Sequence, residues 1–271
     1  MQRTTTPRKP GAGRPAHDPI ARGNLRRQLK WESRIPSHQW ATYRSAIHGL
    51  RDANVKFLLG GGFAQAVFTG RLRNTKDMDF YIAPEERAST VATLTALGFE
   101  DYYQCLPYAR HWIYRSHKAG VIVDVIWSMA NRRAAVDRAW FDRAQQVVLR
   151  GERLRIVPLE EFMWCKLYIL QRDHCDWTDL FNVMHSCGRE VDWPHLIARL
   201  GRDLPLLKAM LMTYGWLCPT QARALPGGLW RQLEIPVPSP EPSAVLRQRV
   251  HLLDSRGWFA ALRKPGEVLE V

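Results

Sequence analysis

Apolar positions follow two spacings along this chain, and the change between them falls near residue 158. Before it, short apolar runs alternate with helix-spaced stretches. Ser37 is placed to cap a helix running to about Ala53. Val55 to Leu59 is a short apolar run and predicts a buried strand. Gly60-Gly61-Gly62 ends it, and Phe63 to Thr69 predicts a helix. Asp77 to Ile82 predicts a strand, and Glu85 to Leu97 a helix closed by Gly98. His111 to Ser116 and Val121 to Trp127 predict two paired strands, and Gln146 to Arg150 with Arg153 to Val157 a further hairpin. This mixture indicates an α/β or α+β domain over residues 35–157. After Pro158 the spacing is helical. Leu159 to Gln171, Asp176 to Cys187, Trp193 to Leu200 and a segment between Pro205 and Leu217 predict a helical region over 158–218. Pro219 to Pro242 is Pro-rich and predicts irregular chain, and Ser243 to Leu253 a last helix within a C-terminal extension, 219–271. No internal repeat is present.

Composition narrows the class. Apolar residues make up 46% and charged residues 24%, which excludes a fully disordered or collagen-like chain. No uncharged apolar stretch approaches the ~18 residues of a membrane span. The longest, Leu204 to Cys218, is interrupted by Pro205 and Lys208. The basic start has no apolar segment after it, so no secretory signal is expected and the cytoplasm is the expected compartment. Residues 1–34 hold nine basic and two acidic residues, about half of the net charge of +13. They lack apolar periodicity and predict a disordered basic arm. The charge fits a phosphate-rich partner and equally a solubilising surface. The five cysteines are odd in number and form no CxxC, which points to reduced thiols rather than disulfides or zinc. Cys165, His174, Cys175, His185 and Cys187 fall close together, but their spacings match no metal motif.

Candidate chemistry concentrates in Leu58 to Ile82, LLGGGFAQAVFTGRLRNTKDMDFYI. A strand, a glycine turn and a helix start bring backbone N–H groups close to any phosphate, and the helix N-terminus favours negative charge. The same pattern also ends ordinary strands. Asp77 and Asp79 sit at positions i and i+2 of a strand and so share one face, where two carboxylates can converge on a hard cation. Asp-x-Asp at a strand end is otherwise a solvated edge. Asp124 lies within the apolar run Val121 to Trp127. A carboxylate there needs an arginine partner, such as Arg110 or Arg115, or a metal.

Gly61-Gly62-x-Ala64, then Gly70, then Arg73-x-Thr75-x-Asp77-x-Asp79, resembles the nucleotidyltransferase superfamily with the polymerase-β-like fold. It is similar more narrowly to minimal and abortive-infection-type toxin nucleotidyltransferases. The resemblance covers residues 55–127 and extends loosely to Lys166, Arg172, Asp176 and Asp179. It implies a mixed-sheet core with a helical C-terminal region, and an enzyme that moves a nucleoside monophosphate from an NTP to an acceptor hydroxyl. Gly61 and Gly62 are then expected to hold the triphosphate, and Asp77, Asp79 and Asp124 two Mg²⁺ ions, or Mn²⁺ in their place. Asp124 is assigned by position alone, with Asp101 a weaker candidate. Asp124 is also expected to help deprotonate the acceptor. Arg73, Arg71 and Lys166 are expected to meet phosphate oxygens, and Thr75 to support the loop before Asp77. The implied partners are an NTP and an RNA or tRNA end, with an antitoxin partner in a toxin–antitoxin setting. A small hydroxylated acceptor, as for antibiotic nucleotidyltransferases, stays open, as does a silent nucleotide- or RNA-binding module. Lys166 as a snorkelling surface residue, Asp173, Asp176 and Asp179 as acceptor contacts, Asp176 as a helix cap, and Trp112, Trp127, Trp164 and Trp177 as stacking groups also stay open.

Overall fold

A computed structural model describes residues 31–253 apart from Asn74 and Asp173. Asp173, and the predicted arm as far as residue 30, therefore lie outside the described residues. The arm boundary moves: Trp31 is 2% exposed and stands against the Phe63 ring, centroids 6.5 Å apart, while Glu32 Oε2 accepts from the Arg150 N–H. A large indole with a buried ring to pack on belongs to the core.

Helix α1, Ser37–Asp52, precedes strand β1, Phe57–Leu59. Pro36, not Ser37, occupies its N-cap, and no side chain caps it. Helix α2 is Gly61–Thr69, starting inside the glycine run rather than after it, and strand β2 is Asp77–Ile82. A single 3₁₀ turn, Pro84–Glu86, leads into α3, Arg87–Ala96. Next come β3, Glu100–Asp101, β4, Ile113–Lys118, and β5, Val121–Ile126. Helix α4, Arg138–Arg143, is capped by the Asp137 carboxylate, which accepts from the Ala139 N–H. The hairpin β6, Gln145–Leu149, and β7, Glu152–Ile156, completes the sheet. The sheet order is β3-β4-β5-β2-β1-β7-β6. It is mixed: β2 runs parallel to β5 and β1 to β7, and the other neighbours are antiparallel.

Helices α5, Leu159–Leu167, α6, Trp177–Cys187, α7, Trp193–Leu200, and α8, Leu204–Leu217, follow. Helix α5 stops four residues short of its predicted end. The chain there turns back on itself through a Leu170–Cys175 bridge, and the Asp176 N–H donates to the Ile169 carbonyl. The segment 219–242 is not wholly irregular. Pro219 opens α9, Pro219–Arg223, and Pro226 occupies the N-cap of α10, Gly227–Gln232. Proline fits a helix start because the first N–H groups have no intrahelical partner to lose. Helix α11 is Ser243–Leu253.

Strand β2 shows how the sheet positions chemistry. Met78, Phe80 and Ile82 are fully buried on one face, with Phe80 edge-on to Phe57 at 4.9 Å. The period of two then places Asp77, Asp79 and Tyr81 on the opposite face, where all three are half-buried. Helix α2 is buried from Gly62 to Thr69 and packs on β2, α5 and α6. A helix that is apolar nearly all round belongs in the middle of a core. Its rigid seat fixes the glycine turn against β2.

Candidate active site

Paired residues on neighbouring strands present their side chains on the same face. The register pairs Asp79 with Asp124 across β2 and β5, and Asp124 with Arg115 across β5 and β4. Asp79, Asp124 and Arg115 therefore form one row. The next row is Tyr81, Ile126 and Ile113, and the preceding one Asp77, Ile122 and His117. A polar row lies beside an apolar one on the same face.

The glycine turn closes over this row. The Gly60 N–H donates to the Asp79 carbonyl at 2.9 Å, and the first bond of α2 runs from Ala64 N–H to the Gly60 carbonyl. The N–H groups of Gly61, Gly62 and Phe63 thus precede that bond, as anion-binding helix starts require. Gly61 has φ +51°, and a Cβ there would fall 1.6 Å from Asp79 Oδ2; a Cβ on Gly62 would fall 2.7 Å from Thr75 Oγ1. The turn is glycine because the carboxylate strand leaves no room for anything larger. Gly61→Ala must push Asp79 aside and strain the backbone by roughly 1–3 kcal/mol. It is expected to lower the melting temperature by several degrees and any transfer rate by about 10²-fold, read by calorimetry and a labelled-NTP assay.

The carboxylates are held in different ways. Thr75 Oγ1 donates to Asp77 Oδ1 at 3.0 Å, which supports the loop before that strand. Asp124 is 1% exposed. Arg115 Nε donates to its Oδ1 at 2.8 Å and Arg115 Nη2 to its Oδ2 at 2.5 Å; the same Nη2 stands 3.6 Å from Asp77 Oδ2. Of the two arginines named for Asp124, Arg115 is its partner. Arg110 instead pairs with Asp101 at 2.6 Å, so Asp101 stands at the β3 edge, outside the row. Burial raises the Asp124 carboxyl above its ordinary range, against the hydrogen bonds from Arg115. Asp79 is held well above its ordinary range, first by burial and then by the charges of Asp77 and Asp124.

Lys166 lies on α5 and is 7% exposed, which excludes the snorkelling alternative. Its ammonium donates to Asp176 Oδ2. It also stands 2.8 Å from Asp179 Oδ2 as an ion pair. Asp176 holds the N-cap position of α6 but makes no cap bond; His174 Nε2 lies 2.7 Å from its other oxygen. Gln65 Nε2 donates to Asp179 Oδ1 at 2.7 Å, a pairing that no local sequence pattern announces. Arg73 is exposed and reaches Asp179 at 3.4 Å.

A cavity of about 270 Å³ joins these parts. Gly61, Gly62, Arg73 and the three aspartates line it together with Lys166, and Tyr81, Trp112 and Trp140 are among its aromatic lining. Arg71 lines a separate cleft between α2 and α6, which Arg73 borders as well. Of the tryptophans named for stacking, Trp112 is in the cavity. Trp127 and Trp164 are buried core residues, and Trp177 donates its ring N–H to the Leu167 carbonyl. Cys165 is buried and its thiol is pushed up to about 12.

Asp77 and Asp79 offer hard oxygen donors on one strand face, and burial and like charge disfavour the ionised form of Asp79; a divalent cation fits that set. Among the described residues, no group of three or more His, Cys, Asp or Glu forms a ready ligand cage. Phosphate oxygens and water would supply the remaining ligands, as hard cations with substrate phosphates require.

A mixed sheet carrying a carboxylate row beneath a glycine-started helix defines a nucleotidyltransferase-type transferase. A family model described as "Uncharacterised nucleotidyltransferase" matches residues 21–217, and the chain belongs to that family. No curated protein matches it significantly. Among solved structures, the antibiotic-resistance factor ANT(2″)-Ia in solution is 16% identical with a TM-score of 0.46, covering 66% of this chain and 97% of its own. The lincosamide antibiotic adenylyltransferase LnuA bound to lincomycin is 14% identical with a TM-score of 0.39, covering 55% and 94%. The protein TM1012 of Thermotoga maritima is 11% identical with a TM-score of 0.37, covering 48% and 83%. No helix among the described residues is long and apolar enough to cross a membrane.

Proposed function

We propose that this nucleotidyltransferase moves a nucleoside monophosphate from an NTP to an acceptor hydroxyl, with Mg²⁺ as cofactor. The observation that carries the reading is the register: it sets Asp79 beside Asp124, with Asp77 on the same face, under the free N–H groups of Gly61 and Gly62. Asp77 and Asp79 would hold the cation, which when bound neutralises the triphosphate and draws charge from the α-phosphorus. The start of α2 and Arg73 hold phosphate oxygens. Asp124, whose affinity for a proton burial has raised, takes the hydroxyl proton. The acceptor oxygen bonds to the α-phosphorus, the bond to the bridging oxygen breaks, and pyrophosphate leaves with that electron pair.

An RNA end, tRNA first, is the acceptor we favour, and the cytoplasm the compartment. Residues 1–30 carry eight basic residues and one acidic one, and Arg71 and Arg73 are exposed beside the site. The direct test is incubation with each labelled NTP, Mg²⁺ and total RNA, beside a panel of aminoglycoside and lincosamide acceptors. Labelled RNA is the expected result; label on a small molecule alone would replace this acceptor, and no transfer to anything would overturn the reaction. Removing residues 1–30 is expected to weaken RNA binding and flatten its salt dependence while leaving the rate at saturating RNA unchanged. Filter binding at two salt concentrations reads it, and equal salt slopes would refute the arm's part.

A further inference from the structure

Two-metal transfer needs a carboxylate free to face each ion. The carboxylate row here already contains a permanent cation. Arg115 is in register with Asp124 on one side of the row, as Asp79 is on the other. Its guanidinium takes both Asp124 oxygens, at 2.8 and 2.5 Å, and points its Nη2 toward Asp77 Oδ2 at 3.6 Å. The side chain is only 30% exposed, so it is held within the row rather than swinging in solvent. Of the three carboxylates, Asp77 and Asp79 remain without an arginine in hydrogen-bond contact.

We propose that Arg115 stands where a second divalent ion would otherwise sit, so that the site takes one divalent cation, held by Asp77 and Asp79. A planar guanidinium carries one positive charge with a fixed fork of donors and is always charged. It can satisfy a buried carboxylate without recruiting an ion, and two cations so close to it would repel. Asp124 is then not a metal ligand. Arg115 is a positioning residue: it keeps Asp124 in place by holding both of its oxygens. The inference rests on the reading of Asp77 and Asp79 as the cation site.

The test counts ions. Full-length protein is saturated with an NTP analogue carrying a methylene bridge between the α and β phosphorus atoms, tried with each of the four bases. Mn²⁺ bound per chain is measured by equilibrium dialysis, corrected for chelation by free analogue. One Mn²⁺ is expected for the wild type and for Arg115→Lys, which keeps the charge. Two are expected for Arg115→Met, because Asp124 is released to bind. Asp124→Asn is expected to keep one. Two ions in the wild type, or none gained in folded Arg115→Met, would overturn the inference while leaving the transfer reaction standing. A loss of the ion in Asp124→Asn would overturn it as well. No bound Mn²⁺ in the wild type would instead remove the cation site itself and the inference with it. Circular dichroism of each variant shows whether the fold is kept. Should Arg115→Met fail to fold, the wild-type count and Asp124→Asn decide.

Discussion

Asp79→Asn is expected to reduce nucleotidyl transfer by on the order of 10³-fold or more and, at neutral pH without metal, to leave the protein more stable than the wild type. The two effects share one cause. The Asp79 carboxyl is held well above its ordinary range by burial and by its neighbours Asp77 and Asp124. The folded protein therefore holds this proton more tightly than the unfolded chain does. Raising the pH through the carboxylate range then lowers stability, because ionisation is easier once the chain unfolds. Asparagine has the same shape and no charge, so it removes that penalty. The gain over wild type should be full above the folded-state pKa and vanish below about pH 4, where the acid is protonated in both states. Melting temperatures in EDTA at pH 4 and pH 7, beside single-turnover transfer, read both effects. An Asp79→Asn variant that transfers like wild type would move the chemistry elsewhere. One that is less stable at pH 7 would mean that Asp79 is a satisfied structural carboxylate.

The strand that carries Asp79 was legible because its signal is local. D-M-D-F-Y-I alternates, and strand β2 has the predicted limits, Asp77–Ile82. The glycine turn was legible for the same reason. What could not be read was which arginine meets Asp124, because that depends on register between strands. The information was nonetheless present in a turn. Strands β4 and β5 are joined by two residues, Ala119 with φ +51° and Gly120 with φ +75°. Two positive φ angles make the tight hairpin connection that fixes register. Counting outward from Ala119-Gly120 pairs Arg115 with Asp124 and leaves Arg110 beyond the strand. Ending the strand at Ser116, two residues before its true end at Lys118, concealed this. The setting of Lys166 was less accessible. Extending its helix to Gln171 kept Asp176 from folding back, and no local pattern announces the bridge between Leu170 and Cys175. Gln65 reads as one polar residue in an apolar helix, and only the packing of α6 on α2 gives it Asp179.

Lys166→Met is expected to destabilise the protein by about 3–5 kcal/mol, the range found when one partner of a buried ion pair is removed. At roughly 2–4 °C per kcal/mol for a chain of this size, the melting temperature should fall by about 6–20 °C. The resemblance implies a lysine that reaches the nucleotide; its ion pairs give the same side chain a part in the fold, which this variant measures. Its ammonium is buried between Asp176 and Asp179, both of them buried as well. Methionine fills the volume but leaves two carboxylates facing each other in a low-dielectric setting. Asp179 keeps Gln65 and a distant Arg73, and Asp176 keeps His174, so the fold weakens without losing every counterpart. The double variant Lys166→Met with Asp179→Asn tests the cause, since removing the stranded charge should restore part of the loss. A lysine that served the nucleotide instead would behave differently. Its loss would raise the KM for NTP several-fold, leave the melting temperature near wild type, and gain nothing from the second substitution. Thermal melts of the two variants beside their KM for NTP separate these outcomes, because stability and nucleotide affinity move independently in the two cases.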